Sequence, residues 1–185
     1  MNEFAINAAV LTVSDSRSTF AADSFPDADV PSSCGIASSV EAVKVDVSGR
    51  LLVELLEKEG CKVSFYGVVR DDKQEISRAI HELSHRDNVD IILTTGGTGI
   101  SPRDVTPEAT REVIETEIPG IAEAMRTQTL SKTPFAMLSR GLAGLCNRKL
   151  VVNLPGSPTG VEECFRVIRP ILKHSIAMIE GGGHE

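Results

Sequence analysis

No tryptophan occurs in the 185-residue sequence and tyrosine occurs once, so a core built from this chain has to be aliphatic. A cationic excess is also missing. Nineteen Lys and Arg against 26 Asp and Glu leave a formal net charge of −7, which argues against a nucleic-acid binder, because such proteins carry a basic face. Affinity for an anionic small molecule must therefore be local, from a few arginines and backbone N–H groups. Cys34, Cys61, Cys146 and Cys164 are far apart, and no Cys-x-x-Cys pair suggests zinc or a redox dithiol. All four are expected as thiols, with Cys61 and Cys164 in apolar patterns and Cys34 in a polar segment. No histidine is expected to bind a metal. No apolar run approaches the length of a membrane span. The N-terminus lacks the basic region, apolar stretch and cleavage site of a secretory signal. A cytoplasmic location with no membrane partner is expected.

What is present is organised around residues 90–110. Ile91, Ile92 and Leu93 are a short apolar run of the kind a strand buried on both faces shows. The run breaks into Thr94-Thr95-Gly96-Gly97-Thr98-Gly99. Glycine there lets the backbone turn through positive φ and lets a ligand approach the main chain, and exposed N–H groups can form an anion-binding concavity. Arg103 and Asp104 follow, the first suited to a phosphate and the second to a metal. Thr106-Pro107 reads as a helix start with threonine as N-cap. A strand, a glycine-rich turn and a helix start, in that order, mark where an open α/β sheet binds phosphorylated ligands. Neither common phosphate fingerprint is matched: no Gly-Lys-Ser/Thr is present, and the spacing is Gly-Gly-x-Gly rather than Gly-x-Gly-x-x-Gly.

Along the chain, Ala5 to Val13 is expected to form a first strand ending in Ser14-Asp15-Ser16-Arg17. Residues 18–45 are rich in Ser, Ala and Asp, contain Pro26 and Pro31, and show no period; a long surface loop is expected. Asp46 to Glu59 predicts a helix with a Leu51, Leu52, Leu55 and Leu56 face, ended by Gly60. Lys62 to Val69 predicts a strand ending in Arg70-Asp71-Asp72, where Asp72 and Glu75 resemble a capping box and Ile76, Ile80 and Leu83 give a helical stripe. That leaves Asp71 without a structural task. Pro107 to Glu117 and Ile121 to Leu130 predict helices, and Thr133 to Leu138 is a short apolar piece that ends in Ser139-Arg140. Leu150 to Leu154 predicts a buried strand ending in Pro155-Gly156-Ser157-Pro158, with Ser157 as cap of a helix carrying Val161, Cys164, Phe165 and Ile168. Strands alternating with helices give an α/β three-layer α/β/α sandwich with a mainly parallel, mixed central sheet. A single domain over residues 1–180 and a loose tail from Gly181 are expected. Every unexplained polar cluster follows a strand, and parallel strands gather their carboxyl ends on one edge.

Together these stretches resemble the molybdopterin-binding family of molybdenum cofactor biosynthesis, in particular the Mog-type molybdopterin adenylyltransferases and the gephyrin G domain. The resemblance rests on residues 94–110, on Thr-Pro-Phe-Ala-Met-Leu-Ser-Arg at 133–140, and on Asn-Leu-Pro-Gly-Ser-Pro at 153–158, with Ser14-Asp15 and Asp46-Val47-Ser48-Gly49 also fitting. It covers nearly the whole chain except residues 18–45, a segment usually shorter in the family, and the tail. It implies that ATP and molybdopterin give adenylylated molybdopterin and pyrophosphate, with Mg²⁺ as cofactor. It further implies that Asp71 and Asp104 serve the metal and the nucleotide, and that Gly96, Gly97, Thr98, Gly99 and Ser139 hold the pterin's phosphate and dithiolene end. Pro155, Gly156 and Ser157 would border the nucleotide, and Ser14, Asp15, Thr95, Arg103, Thr106 and Arg140 complete the expected substrate site. A homotrimer and handover to a molybdenum-insertion protein are implied in the same way. A non-catalytic pterin carrier of the same family, or a relative inserting metal or hydrolysing nucleotide, are the alternative readings.

Overall fold

The computed structural model describes residues 6–15 and 46–182. The expected loop at 18–45, Cys34 and the end of the tail lie outside the described residues. Among the described residues six strands form one sheet: β1 (Asn7–Val13), β2 (Lys62–Val69), β3 (Ile91–Thr95), β4 (Thr116–Glu117), β5 (Ala143–Cys146) and β6 (Lys149–Leu154). Their spatial order is β2-β1-β3-β6-β5-β4. The four neighbours β2, β1, β3 and β6 are parallel, whereas β5 and β4 are added antiparallel. The sheet is mixed and mainly parallel, as the alternating pattern predicts.

Residue alternation along the parallel strands builds the layers, because successive side chains leave opposite faces. Ala8 and Val10 of β1, Ile91 and Leu93 of β3, and Leu150, Val152 and Leu154 of β6 join one core cluster. That cluster also takes Leu52 and Leu56 of α1 (Val47–Lys58), Met125 of α4 (Pro119–Leu130), Phe165 of α5 (Pro158–Ile168) and Ile176 of α6 (Leu172–Ile179). Ala9, Leu11, Ile92 and Val151 face the other way, onto Ile76 and Ile80 of α2 (Lys73–Ser84) and Ala109 of α3 (Thr106–Val113). The result is three layers, with α1, α4, α5 and α6 on one face and α2 and α3 on the other. Cys61, Cys146 and Cys164 are buried free thiols.

Caps fix where the helices begin. Asp46 accepts from Gly49 N, Asp72 from Gln74 N and Glu75 N, and Ser157 from Gly160 N. Gly60 ends α1 with φ +77°. Thr106 differs from expectation: it is the first residue of α3, Val105 precedes the helix, and no side chain caps it. The Thr106 hydroxyl instead donates to the Gly96 carbonyl at 2.9 Å, a contact across the turn that outcompetes local capping. The expected helix over Pro107 to Glu117 stops at Val113, and Thr116–Glu117 becomes the edge strand β4. Helix α4 begins at Pro119, two residues earlier than expected, because proline suits a first helical position. Strand β5 was not expected. It pairs with β6 through the two-residue turn Asn147-Arg148, whose φ values of 48° and 60° are those of a tight hairpin turn.

Asn153 crosses the layers. In β6 it pairs with Thr94 of β3. Its Nδ2 donates to Thr94 Oγ1 at 3.0 Å and to Thr110 Oγ1 at 2.9 Å, and its Oδ1 accepts from Leu142 N.

Candidate active site

The strand order places β3 on the opposite side of β1 from β2, so the chain reverses direction of travel across the sheet at the carboxyl ends of β1 and β3. Open α/β sheets bind ligands in the crevice at such a reversal. The glycine turn fills it. Gly96 and Gly97 have φ of +106° and +64°. A Cβ on Gly96 would stand 2.3 Å from the Val13 carbonyl oxygen, and one on Gly97 2.3 Å from Thr106 Oγ1. Glycine is therefore required at both positions by conformation and by space. The turn is anchored on three sides: Gly96 N donates to Leu154 O at 3.2 Å, Thr106 N to Gly97 O at 3.1 Å, and Thr95 Oγ1 to Pro155 O at 2.7 Å. Gly156 packs against it, where a Cβ would lie 3.2 Å from the Gly96 Cα.

Carboxylates flank the turn. Asp15 N donates to Asp71 Oδ2 at 2.8 Å and Asp71 N to Asp15 Oδ1 at 3.0 Å, a reciprocal pair joining the ends of β1 and β2. Ser14 N extends that join by donating to Val69 O at 2.9 Å. Arg103, largely exposed, forms an ion pair with Asp15. Asp104 Oδ2 accepts from Ser101 N at 2.8 Å. A Cβ on Gly97 would lie 3.3 Å from Asp71 Oδ1, and one on Gly99 3.0 Å from Asp104 Oδ2, so the two carboxylates border the turn closely. Burial, and secondly the negative charge of Asp104, push the Asp71 carboxyl above its usual range. One oxygen of each, Asp71 Oδ1 and Asp104 Oδ1, accepts no hydrogen bond from a described residue. Free hard oxygens whose charges repel one another suit a divalent cation completed by water and phosphate oxygens. Among the described residues no group of three or more His, Cys, Asp or Glu gathers for a metal.

Arg140 is placed differently from a ligand-facing arginine. Its Nε donates to Gly99 O at 2.6 Å, its remaining nitrogens to Asp104 O and to Glu108 of α3, and its backbone N to Thr98 O at 2.8 Å. It ties both ends of the 99–104 turn to the segment that carries Ser139. On the other side of the glycine turn lies a cavity of about 330 Å³ between α4 and α5, under the 3-10 turn Pro134–Leu138. Thr98, Gly99, Ser139, Pro155 and Ser157 all line it, whereas Ser14, Asp15, Asp71, Arg103, Asp104, Thr106 and Arg140 do not. The structure thus brings the expected residues to one sheet edge and divides them into an acidic side and a cavity side. Ile100, Phe135, Met137 and Leu138 are exposed around this region.

The sequence marked Asp46-Val47-Ser48-Gly49 as part of the resemblance without a task, and it did not single out Arg126 or Glu163. Ser48 Oγ donates to Gly156 O at 2.7 Å, and the buried Asp46 accepts from Tyr66 OH at 2.7 Å, so the Asp46-Val47-Ser48-Gly49 stretch props the 155–157 turn from behind. Arg126 donates to Gly141 O at 3.0 Å, and Glu163 lines the cavity. For Glu163 helical spacing was the available signal: it follows Gly160 of α5, and before that the cap Ser157, at three-residue intervals.

Comparisons with known proteins identify the family and the fold. Residues 9–174 match the family model described as "Probable molybdopterin binding domain". The chain is 36% identical over 138 residues to the molybdopterin adenylyltransferase of Helicobacter pylori, covering 74% of this chain and 78% of that one. It is 40% identical over 135 residues to the molybdenum cofactor synthesis protein cinnamon of Drosophila melanogaster, matching 72% of this chain but 22% of that much longer relative. The crystal structure of the molybdopterin biosynthesis enzyme MoaB of Thermus thermophilus superposes with a TM-score of 0.77 at 36% identity, over 95% of this chain and 97% of that one. With a matching family model over most of its length, and relatives in sequence and in structure named for molybdopterin or molybdenum cofactor synthesis, the chain belongs to the molybdopterin-binding domain family of molybdenum cofactor biosynthesis.

Proposed function

We propose that the protein is a molybdopterin adenylyltransferase: it transfers the adenylyl group of Mg-ATP to the terminal phosphate of molybdopterin. A phosphate oxygen of the pterin forms a bond to the α-phosphorus of ATP, the bond from that phosphorus to the bridging oxygen breaks, and pyrophosphate leaves. The observation that carries this reading is the pair Asp71 and Asp104 flanking a glycine turn whose other side opens into the cavity lined by Ser139. Such a reaction asks little of the protein beyond positioning and charge neutralisation.

The residues fit those tasks. Thr98 and Gly99 border the cavity on the turn side and Ser139 on the other, so the pterin's phosphate and dithiolene end has a hydroxyl and a backbone-lined turn to rest on. Asp71 Oδ1 and Asp104 Oδ1 would hold magnesium, which supplies neutralisation of the phosphate oxygens. Arg140 holds the 99–104 turn, and therefore Asp104, at a fixed place relative to Ser139. The name of the Helicobacter pylori relative supports the same activity. A homotrimer is supported by the exposed Ile100, Phe135 and Met137, which further copies of the chain would cover; sedimentation analysis tests it. The adenylylated product is suited to handover to a molybdenum-insertion protein. Among the described residues no helix is long and apolar enough to cross a membrane; a cytoplasmic location is part of the proposal.

The test is pyrophosphate release from Mg-ATP with and without molybdopterin, with identification of the adenylylated product. Pterin-dependent release that is lost in Asp71→Ala and Asp104→Ala, with pterin binding retained, supports the assignment. Pterin binding without release overturns it in favour of a carrier.

A further inference from the structure

Among the described residues, Glu163 is the one carboxylate that lines the cavity between α4 and α5. Its neighbour in sequence, Glu162, pairs with Arg166 on the exposed face. Glu163, half-buried, makes no hydrogen bond or ion pair with any described residue. Arg126, the one cationic side chain among the described residues lining the cavity, forms no ion pair with it and turns its Nη1 to Gly141 O and Ser139 O. The remaining wall is largely apolar, with Met125, Phe135 and Leu138 among the lining side chains. At about 330 Å³ the cavity stands at the small end of ligand pockets, roughly 300–1,000 Å³. A flat heterocycle fits that description, and where it displaces water from the Glu163 carboxylate it has to supply donors in exchange.

The two ring systems of the proposed reaction present different edges to a carboxylate. An ionised carboxylate offers two acceptor oxygens and no donor. The pterin edge carries two adjacent donors, the ring N3–H and the 2-amino group, which a carboxylate receives through two parallel hydrogen bonds. The adenine edge carries one donor, the 6-amino group, beside an acceptor, N1, whose lone pair faces the second carboxylate oxygen and is repelled. Charge-assisted pairs of the first kind are strong and geometrically selective, more so where water is partly excluded.

We propose that Glu163 is a specificity residue that recognises the pterin ring by its two-donor edge, with the ring seated between α4 and α5. The inference rests on the adenylyltransferase reading and refines it. It puts Pro155 and Ser157 beside the pterin rather than beside the nucleotide, as the family resemblance had implied. The nucleotide is left to the acidic side of the glycine turn, where Asp71 and Asp104 stand. The pterin phosphate then reaches the turn from the cavity and the α-phosphate reaches it from the acidic side.

The test is steady-state kinetics of the full chain with molybdopterin and Mg-ATP, comparing wild type with Glu163→Gln. The amide keeps the shape but replaces one acceptor with a donor. The expected result is a roughly 10- to 100-fold rise in the molybdopterin KM, with the ATP KM within about twofold and an unchanged melting temperature. A rise in the ATP KM instead, or no change in either KM, overturns the proposal. Equilibrium binding of molybdopterin, followed by pterin fluorescence, separates the two levels. Wild type that binds molybdopterin but is matched by Glu163→Gln removes the role of Glu163 alone. Wild type that binds no molybdopterin removes the proposed function together with it.

Discussion

Four glycine-to-alanine substitutions separate backbone strain from steric contact at the glycine turn. Gly120 has an ordinary backbone and open space around its would-be Cβ. Gly60 also has open space, but a φ of +77°. Gly49 has an ordinary backbone, but a Cβ there would stand 2.3 Å from both Asp46 Oδ2 and Thr12 Oγ1. Gly97 combines a φ of +64° with a contact 2.3 Å from Thr106 Oγ1. Gly120→Ala in α4 should stabilise by about 0.5–1 kcal/mol, because it removes unfolded-state freedom from a helical position. Gly60→Ala should cost about 1–2 kcal/mol for a left-handed non-glycine residue. Gly49→Ala should cost about 1–3 kcal/mol, the range for inserting a methyl group into packed space. For Gly97→Ala the strain term recurs, and the buried Thr106 hydroxyl must also leave the Gly96 carbonyl. An unsatisfied buried polar group costs about 1–3 kcal/mol, for a sum of roughly 2–5 kcal/mol. Urea unfolding with a constant slope reads all four on one scale. If Gly97→Ala falls within 1 kcal/mol of Gly60→Ala, about the lower bound of the contact term, the Thr106 contact carries none of the requirement for glycine. If Gly60→Ala is as stabilising as Gly120→Ala, the strain reasoning itself fails.

Asp71, its carboxyl raised by burial and by Asp104, favours the protonated form in the folded state. The stability it contributes is present below the usual carboxylate range and is lost as pH rises through the folded value. Asp71→Asn keeps an acceptor for Asp15 N and should therefore melt higher than wild type at neutral pH without metal, and magnesium should raise the wild-type melting temperature more than the variant's. Arg140→Ala should cost about 2 kcal/mol in urea unfolding for its carbonyl contacts, with little credit for its partly exposed ion pair with Glu108. Arg140→Lys should recover little of that, because an ammonium cannot span the same fork. Tyr66 is the single tyrosine; burial, the hydrogen bond to Asp46 and that carboxylate's charge push its phenol well above the ordinary value. The stability linked to it is present below the ordinary phenol value and is lost as pH rises through the folded one. Spectrophotometric titration should show phenolate only as the protein unfolds in alkali, and a reversible titration at the ordinary value would refute the placement.

The parallel half of the sheet was readable because strands covered on both faces leave unbroken apolar runs such as Ile91-Ile92-Leu93. The caps at Asp72 and Ser157 were readable because a cap acts within three residues of itself. What failed was non-local. Thr106 precedes proline and has the chemistry of a cap, yet its hydroxyl is drawn to Gly96, ten residues away. Strands β4 and β5 have two and four residues, too short for an alternation to register. For the site, the strand-end positions of Ser14, Asp71, Gly96 and Pro155 follow from parallel order alone. The division into an acidic side and a cavity side does not, because it depends on how α4 and α5 pack. Arg140 illustrates the same limit: nothing local distinguishes an arginine that meets a ligand from one consumed by the carbonyls of Gly99 and Asp104.

Asn153 acts as a check on alignment. Its amide uses both donors and its oxygen on Thr94, Thr110 and Leu142, groups from a strand, a helix and a loop that are far apart in sequence. The apolar neighbours Val151, Val152 and Leu154 could each be exchanged along β6 with little penalty, so packing alone would tolerate β6 sliding beside β3. A slip by one residue would turn the amide to the other face of the sheet and strand several hydrogen-bonding groups in a dry interior. One polar side chain among aliphatic ones thus excludes the neighbouring misaligned sheets during folding. It also carries the alignment of β6 to the place where it matters chemically, since the turn at Pro155 begins two residues later.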